Sequence, residues 1–292
     1  SCFSFLRERP APSALFWLSL GIIGLLSAQR TSPRGHSGFR VAVPALGLLI
    51  SLGALYLTWR HIHFDRYFHR ALAYAESDAW TAVERETRLA LRNGTFDHRA
   101  RFLLAESLHE TDRLEQAERA CQEALSVHPN YAHTHHRLGG VYAAKKEWTR
   151  AVDSYRKALE INPGYDKARI HLGNAYVSTG RLDEAIREFQ HVVSRGSASE
   201  EHVEARGNLG VAYLQIGDLD RAMAELQGAI RWRPDYAEAY NNLAYVYELK
   251  GLHSESIQAY KSLLRHWKGD PGYRKTVERH IQTLQSQIAQ GK

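Results

Sequence analysis

Cysteine is almost missing from this chain: 292 residues hold two, Cys2 and Cys121. Two thiols so far apart supply neither a disulfide framework nor the paired ligands of a zinc site. The sequence also lacks a phosphate loop, a strand-flanked glycine fingerprint and a nucleophile elbow, which are common signatures of nucleotide binding and acyl transfer. We therefore expect no enzymatic activity and no metal or cofactor. The sixteen histidines include a cluster at His133, His135 and His136. A metal needs three or four converging ligands, and no acidic or cysteine partner stands beside them, so a solvated surface is the simpler reading. Asn93-Gly94-Thr95 fits a glycosylation sequon, yet it reads better as a turn between helices.

An excess of positive charge is missing from most of the chain as well. The formal net charge is +6, but residues 1–70 hold eight arginines against Glu8 and Asp65. The remaining 222 residues carry 30 basic and 30 acidic side chains. A neutral body has no net attraction for phosphate, so nucleic acid is not an expected partner. Most of the excess belongs to residues 1–63, where two apolar runs, 11–28 and 41–59, contain no charged residue. At 1.5 Å per residue each run spans roughly 27–29 Å, enough to cross a bilayer core. Phe16, Trp17, Tyr56 and Trp59 suit the interfaces, and Gly24/Ala28 and Gly47/Ser51 would let two such helices pack closely. A secretory signal competes for the first run, but Leu26-Ser27-Ala28 puts a large residue where cleavage wants a small one. We expect a membrane anchor of two transmembrane helices over residues 1–63. The arginine balance leans to a cytoplasmic placement of the rest at a bacterial inner membrane and leaves a periplasmic one open.

From residue 64 a spacing of 34 residues takes over. Tyr74, Leu108, Tyr142, Tyr176, Tyr213 and Tyr247 mark it, with one step of 37. A small residue stands three before each marker: Ala71, Ala105, Gly139, Gly173, Gly210 and Ala244. Sixteen residues after the marker come Ala90, Ala124, Ala158, Val192, Ala229 and Leu263. Apolar residues recur at three and four, as in Leu172, Ala175 and Tyr176 and then Leu182, Ala185, Ile186 and Phe189, which makes both helices of each unit amphipathic. The small residue lets the second helix approach the first, and the aromatic fills the gap beside it. Pro129, Pro163 and Pro234 end second helices. Gly180, Gly217 and Gly251 fall in the turn inside a pair, and Cys121 takes the place of Tyr155, Phe189 and Tyr260 as a small buried residue.

Period and pattern together resemble the tetratricopeptide repeat. The resemblance implies an all-α solenoid of helical hairpins stacked into a superhelix. Six repeats would cover 64–97, 98–131, 132–165, 166–202, 203–236 and 237–270, with residues 271–292 as a capping helix. The longer fourth unit ends in Ser194–Ser199 without the usual proline, and a looser junction is expected there. The first helices of such repeats line a concave groove through positions 2, 5, 6, 9, 12 and 13 of each unit, and positions 2, 5, 6 and 9 supply the candidates. Carried over by position, these are His133 and Lys167; His136 and Asn241; Arg137, His171, Asn208 and Asn242; and Asn174 and Tyr245. Asparagine amides in a groove offer a paired donor and acceptor to a peptide backbone. The alternative is that Asn241 and Asn242 only solvate an exposed face. The chaperone-tail type of repeat clamps a carboxylate with Lys and Arg, and here those positions are Ile170, Glu238 and Asn242. A protein or peptide partner is thus expected, with the chain acting as a membrane-anchored scaffold in envelope or secretion machinery.

The N-terminal part looks like the C-terminal end of bacterial O-antigen ligase/polymerase-type membrane proteins: Ser4-Phe5, Ala14–Trp17 and Gly21, an arginine-bearing loop, a last membrane helix, then Arg66-Tyr67 leading into repeats. That resemblance implies a non-catalytic tail of a glycan-assembly protein, and a start at Ser1 fits either a fragment of a longer gene or a removed initiator.

Overall fold

The computed structural model describes residues 37–94, 97–196 and 199–290, which form thirteen α-helices with no strand among the described residues. They are α1 Ser37–Ala75, α2 Trp80–Asn93, α3 His98–Glu110, α4 Leu114–Val127, α5 Ala132–Ala144, α6 Trp148–Ile161 and α7 Asp166–Ser178. There follow α8 Leu182–Ser194, α9 Glu200–Gln215, α10 Leu219–Trp232, α11 Ala237–Leu249, α12 His253–His266 and α13 Pro271–Ala289. The chain divides into two compact units, Ser1–Arg137 and Leu138–Lys292.

In the first unit Phe64, Phe68 and Leu72 of α1 pack with Val83 and Ala90 of α2 and Leu103 of α3. Gly94 sits so close to the Phe64 ring that a Cβ there would lie 2.5 Å from it, which brings the end of α2 directly onto α1. Arg60 Nε donates to the Asn93 carbonyl at 3.0 Å, placing a cation at the C-terminus of α2, where the helix dipole is negative. Asp97 caps α3, accepting from the amides of Arg99 at 2.8 Å and Ala100 at 3.2 Å.

In the second unit the small residue of each repeat does what packing requires. A Cβ on Gly139 would fall 2.6 Å from the Tyr155 ring, one on Gly173 would fall 2.5 Å from Phe189, and one on Gly210 would fall 2.7 Å from Leu226. Tyr142, Tyr176 and Tyr213 are buried beside these contacts. Arginines cover their rings, with Arg150 3.9 Å from the Tyr142 centroid and Arg221 4.7 Å from that of Tyr213. A second link joins successive repeats: Arg156, Gln190 and Gln227 donate to the hydroxyls of Tyr176, Tyr213 and Tyr247 at 3.0, 2.7 and 3.0 Å. At the end of the chain α13 lays Val277, Ile281 and Leu284 on Tyr260 and Leu263.

The three residues of the 37-residue step enter α9. That helix has 16 residues against 13 in α7 and α11, and its added first turn is capped by the Ser199 hydroxyl, which accepts from the His202 amide at 3.2 Å. The junction expected to be loose, Ser194–Ser199, lies between α8 and α9, and its residues 197–198 are outside the described part.

The expectation of two membrane spans gains no support here. Run 11–28 lies outside the described residues, as do the side chains of 37–48. Among the described residues no helix is long and apolar enough to cross a membrane. What is visible of run 41–59 is the upper part of α1, where Leu49, Ile50, Leu52, Leu55, Tyr56, Leu57 and Trp59 are all exposed.

Candidate functional site

The first helices carry the candidate site residues, and the two units treat them differently. In the first unit Arg137 is drawn inward. Its Nη2 donates to Glu106 Oε1 in a short bond, and its Nη1 donates to Glu110 at 3.3 Å. Burial pushes the Glu106 carboxyl above the usual carboxylate range, and the Arg137 guanidinium opposes that rise. Arg137 is therefore a member of a mostly buried ion pair and has little left for a ligand. His133 is half-buried, 5.4 Å from the Tyr131 ring and edge-on to Phe102 at 6.4 Å, and burial holds its pKa below the usual histidine value. His135 bonds the Pro129 carbonyl at 2.9 Å, and His136 is half-buried on the same helix.

In the second unit His171 leans edge-on against Tyr155 at 5.7 Å. Lys167 is exposed, its Nζ 3.8 Å from Glu201. Asn241 is taken by the last helix, its Oδ1 accepting from the Tyr273 hydroxyl at 2.8 Å, and so belongs to the packing of α13. Asn242 is partly exposed and Tyr245 is exposed on the same helix. Asn174 and Asn208 meet across α7 and α9: Asn208 Nδ2 donates to Asn174 Oδ1 at 3.1 Å. One hydrogen bond leaves this amide pair with unused donors and acceptors facing outward.

An open cleft of about 540 Å³ begins at that pair. Glu200 and Glu204 of α9 line it on one side, and Arg233, Asp235, Tyr236 and Glu238 line it on the other. Tyr236 reaches in because residue 207 is glycine; a Cβ there would stand 2.9 Å from the Tyr236 hydroxyl oxygen. Arg233 lies 3.8 Å over the Tyr236 ring, with its Nη1 3.4 Å from Glu200. Burial, then Glu201, push the Glu204 carboxyl above its ordinary value, while Lys167 and Arg233 pull it back. The spacing pattern singled out Asn174 and Asn208 but not this acidic wall. Its signal in the sequence is the 37-residue step, which lifts an extra turn bearing Glu200 and Glu201 into place. The cleft offers amides, carboxylates, one guanidinium and one aromatic ring.

A tetratricopeptide repeat model matches residues 102–166, 171–235 and 224–271, and a second model of the same repeat matches 142–197. No curated protein matches the chain. Among solved structures, a tetratricopeptide repeat protein from Parabacteroides merdae aligns with TM-score 0.62 at 16% identity, covering 78% of this chain and 87% of that one. PilF of Pseudomonas aeruginosa aligns at 0.59 and 19%, over 66% and 86%. YrrB, described as a repeat protein with an unusual peptide-binding site, aligns at 0.51 and 21%, over 66% and 97%. At such identities these likenesses concern the fold alone, and none of the family matches reaches the N-terminal residues on which the glycan-ligase resemblance rests. The repeat matches span more than half of the sequence, and the chain belongs to the tetratricopeptide repeat family.

Proposed function

We propose that this protein is a non-enzymatic scaffold that holds an extended segment of a partner protein along the first-helix face of its second unit. The observation that carries the reading is the Asn174–Asn208 pair at the edge of an open cleft. Amides with spare donors and acceptors match the alternating groups of a peptide backbone and demand no particular side chain. A photo-crosslinking residue at Asn242, one turn along α11 from the cleft-lining Glu238, tests this in native membranes, with the same residue at exposed Lys157 as the off-cleft control. A defined adduct at Asn242 that is absent at Lys157, and that is lost in the Asn174→Ala/Asn208→Ala variant, is the expected outcome. Equal adducts at both sites, or adducts indifferent to the asparagines, would overturn the reading.

The scaffold is tethered to a bilayer in this proposal, with the repeats on the cytoplasmic side of a bacterial inner membrane and a role in envelope or secretion machinery. Support comes from Leu49 to Trp59, whose exposed apolar side chains cover more than half of the circumference of α1 and leave Ser51, Ala54 and Thr58 on the partly buried side, whereas a helix made for one protein groove keeps a narrower stripe. Arg66 and Arg70 follow on the same helix and favour the cytoplasmic side. Deleting residues 1–59 should move the protein from the membrane pellet to the soluble fraction. Retention in the pellet would end the tether.

A further inference from the structure

We propose that the cleft of the second unit selects an extended segment bearing lysine or arginine side chains. This rests on the groove reading above and adds the charge of its occupant.

Four acids and one cation line the cleft. The cation, Arg233, is already engaged with Glu200 and the Tyr236 ring. Among the described residues Glu204, Asp235 and Glu238 accept no hydrogen bond from the protein, so three carboxylates point their capacity outward. Burial, then Glu201 and Glu200, raise the Glu204 pKa against Lys167 and Arg233, so its ionised form gains from a bound cation. The amide pair at the cleft edge holds backbone, and the acids, Glu204 one turn from Asn208 on α9 and Asp235 and Glu238 around the start of α11, take the side chains. Other occupants fit less well. An acidic segment meets four carboxylates against one guanidinium that is already engaged. An apolar helix finds only Tyr236 to pack on. A metal ion has no converging ligand set, for no group of three or more His, Cys, Asp or Glu among the described residues is arranged to hold one.

The insertion adds Glu200 to the cleft lining, where it engages Arg233 and leaves Glu204, Asp235 and Glu238 as the free acids. Without the added turn, α9 would start three residues later, like its neighbours, and Glu200 and Glu201 would not stand on a helix beside the cleft.

Selection of random phage-displayed decapeptides on the full chain in detergent tests the proposal. Enriched peptides should carry net positive charge. Their affinity should fall about tenfold in Glu204→Gln/Asp235→Asn/Glu238→Gln, and also when salt is raised to about 0.5 M. Glu204→Lys/Glu238→Lys should reverse the preference to acidic peptides, a gain that misfolding does not produce. Neutral or acidic peptides enriched on the native protein, or affinity unchanged in the triple variant, would overturn the charge assignment. If neutral peptides bind and Asn174→Ala/Asn208→Ala abolishes that binding, the groove reading survives alone. If no peptide depends on the asparagines, or none is enriched, both fall.

Discussion

The same two repeat positions are filled twice in this chain, once for structure and once for contact with the outside. Position 9 of one first helix meets position 6 of the next. In the first unit these are Glu106 and Arg137, 31 residues apart and joined as an ion pair. In the second they are Asn174 and Asn208, 34 residues apart because of the insertion, and joined by a single amide hydrogen bond. The first pair has been withdrawn from water, with Glu106 Oε2 and Arg137 Nε buried and unbonded, while Asn174 is exposed. Charges at these positions must neutralise each other when the repeats close over them. Neutral amides need no such closure, so they stay available.

Removing one partner from each pair is the strongest way to break this comparison. Arg137→Ala leaves Glu106 buried without its counterion and should cost about 3–5 kcal/mol, read as a fall in the urea midpoint. Asn174→Ala/Asn208→Ala strips two partly exposed side chains and should stay within about 0.5 kcal/mol of the native protein. Similar losses in the two variants would mean that both pairs are structural.

A glycine variant sharpens the packing half of the contrast. Gly173→Ala places a methyl group 2.5 Å from the Phe189 ring, which is fully buried and cannot swing away. Overpacking of this kind should cost about 1–3 kcal/mol, despite alanine's better helix propensity. Gly53→Ala, with nothing within 4 Å, should cost nothing. A neutral Gly173→Ala would show that the helices of the pair are not held at the observed separation.

The start of α3 should also differ from those of α7 and α11 in acid. Burial opposes ionisation of Asp97, but Arg99 and two backbone amides more than offset it and hold the carboxyl below its ordinary value. A depressed pKa in the folded state contributes stability that is present above the unfolded value, near 4, and is lost as pH falls through the folded one. No side chain caps α7 or α11, so their starts have nothing comparable to titrate. Asp97→Asn should therefore remove part of the stability lost below about pH 4 while keeping most of the cap, and Asp97→Ala should cost about 1 kcal/mol at neutral pH. Hydrogen exchange at the first amides of α3 reads both. An unchanged acid profile in Asp97→Asn would remove Asp97 from the account.

How far the sequence reached depends on where each residue's partner lies. The hairpins were legible because Gly139, Gly173 and Gly210 and the aromatics beside them act within one repeat, at a spacing that the period exposes. Arg137 read as a groove residue because its partner sits a whole repeat earlier, and a position-by-position transfer sees only one helix. Asn241 misled for the mirror reason, its partner Tyr273 lying beyond the last repeat. The tyrosine hydroxyl bonds from Arg156, Gln190 and Gln227 follow the period too, yet polar residues on an exposed stripe carry no mark of the bond they make. Glu200 and Glu204 were missed because Ser- and Gly-rich residues before them read as loop, whereas Ser199 is the cap that starts the helix.

The smallest effect concerns the turn inside each hairpin. In the second unit Gly180, Gly217 and Gly251 take φ of 73°, 80° and 71°, the left-handed region that glycine enters freely. The first unit uses Asp78 and Asp112 at 54° and 57°, where a short polar side chain tolerates the same conformation. Lys146 breaks the rule of its own unit, holding φ at 61° with a long side chain that gains nothing locally from it. Relief of that strain favours glycine, and the extra freedom of glycine in the unfolded chain works against it. The steric term is the larger, at about 1–2 kcal/mol, so Lys146→Gly should raise stability by about 0.5–1 kcal/mol. Lys145, whose Nζ stands 3.3 Å from Glu147, keeps its ion pair in that variant, so any loss belongs to the backbone. A urea midpoint that falls in Lys146→Gly would show that residue 146 is held by a contact of its side chain rather than by the geometry of the turn.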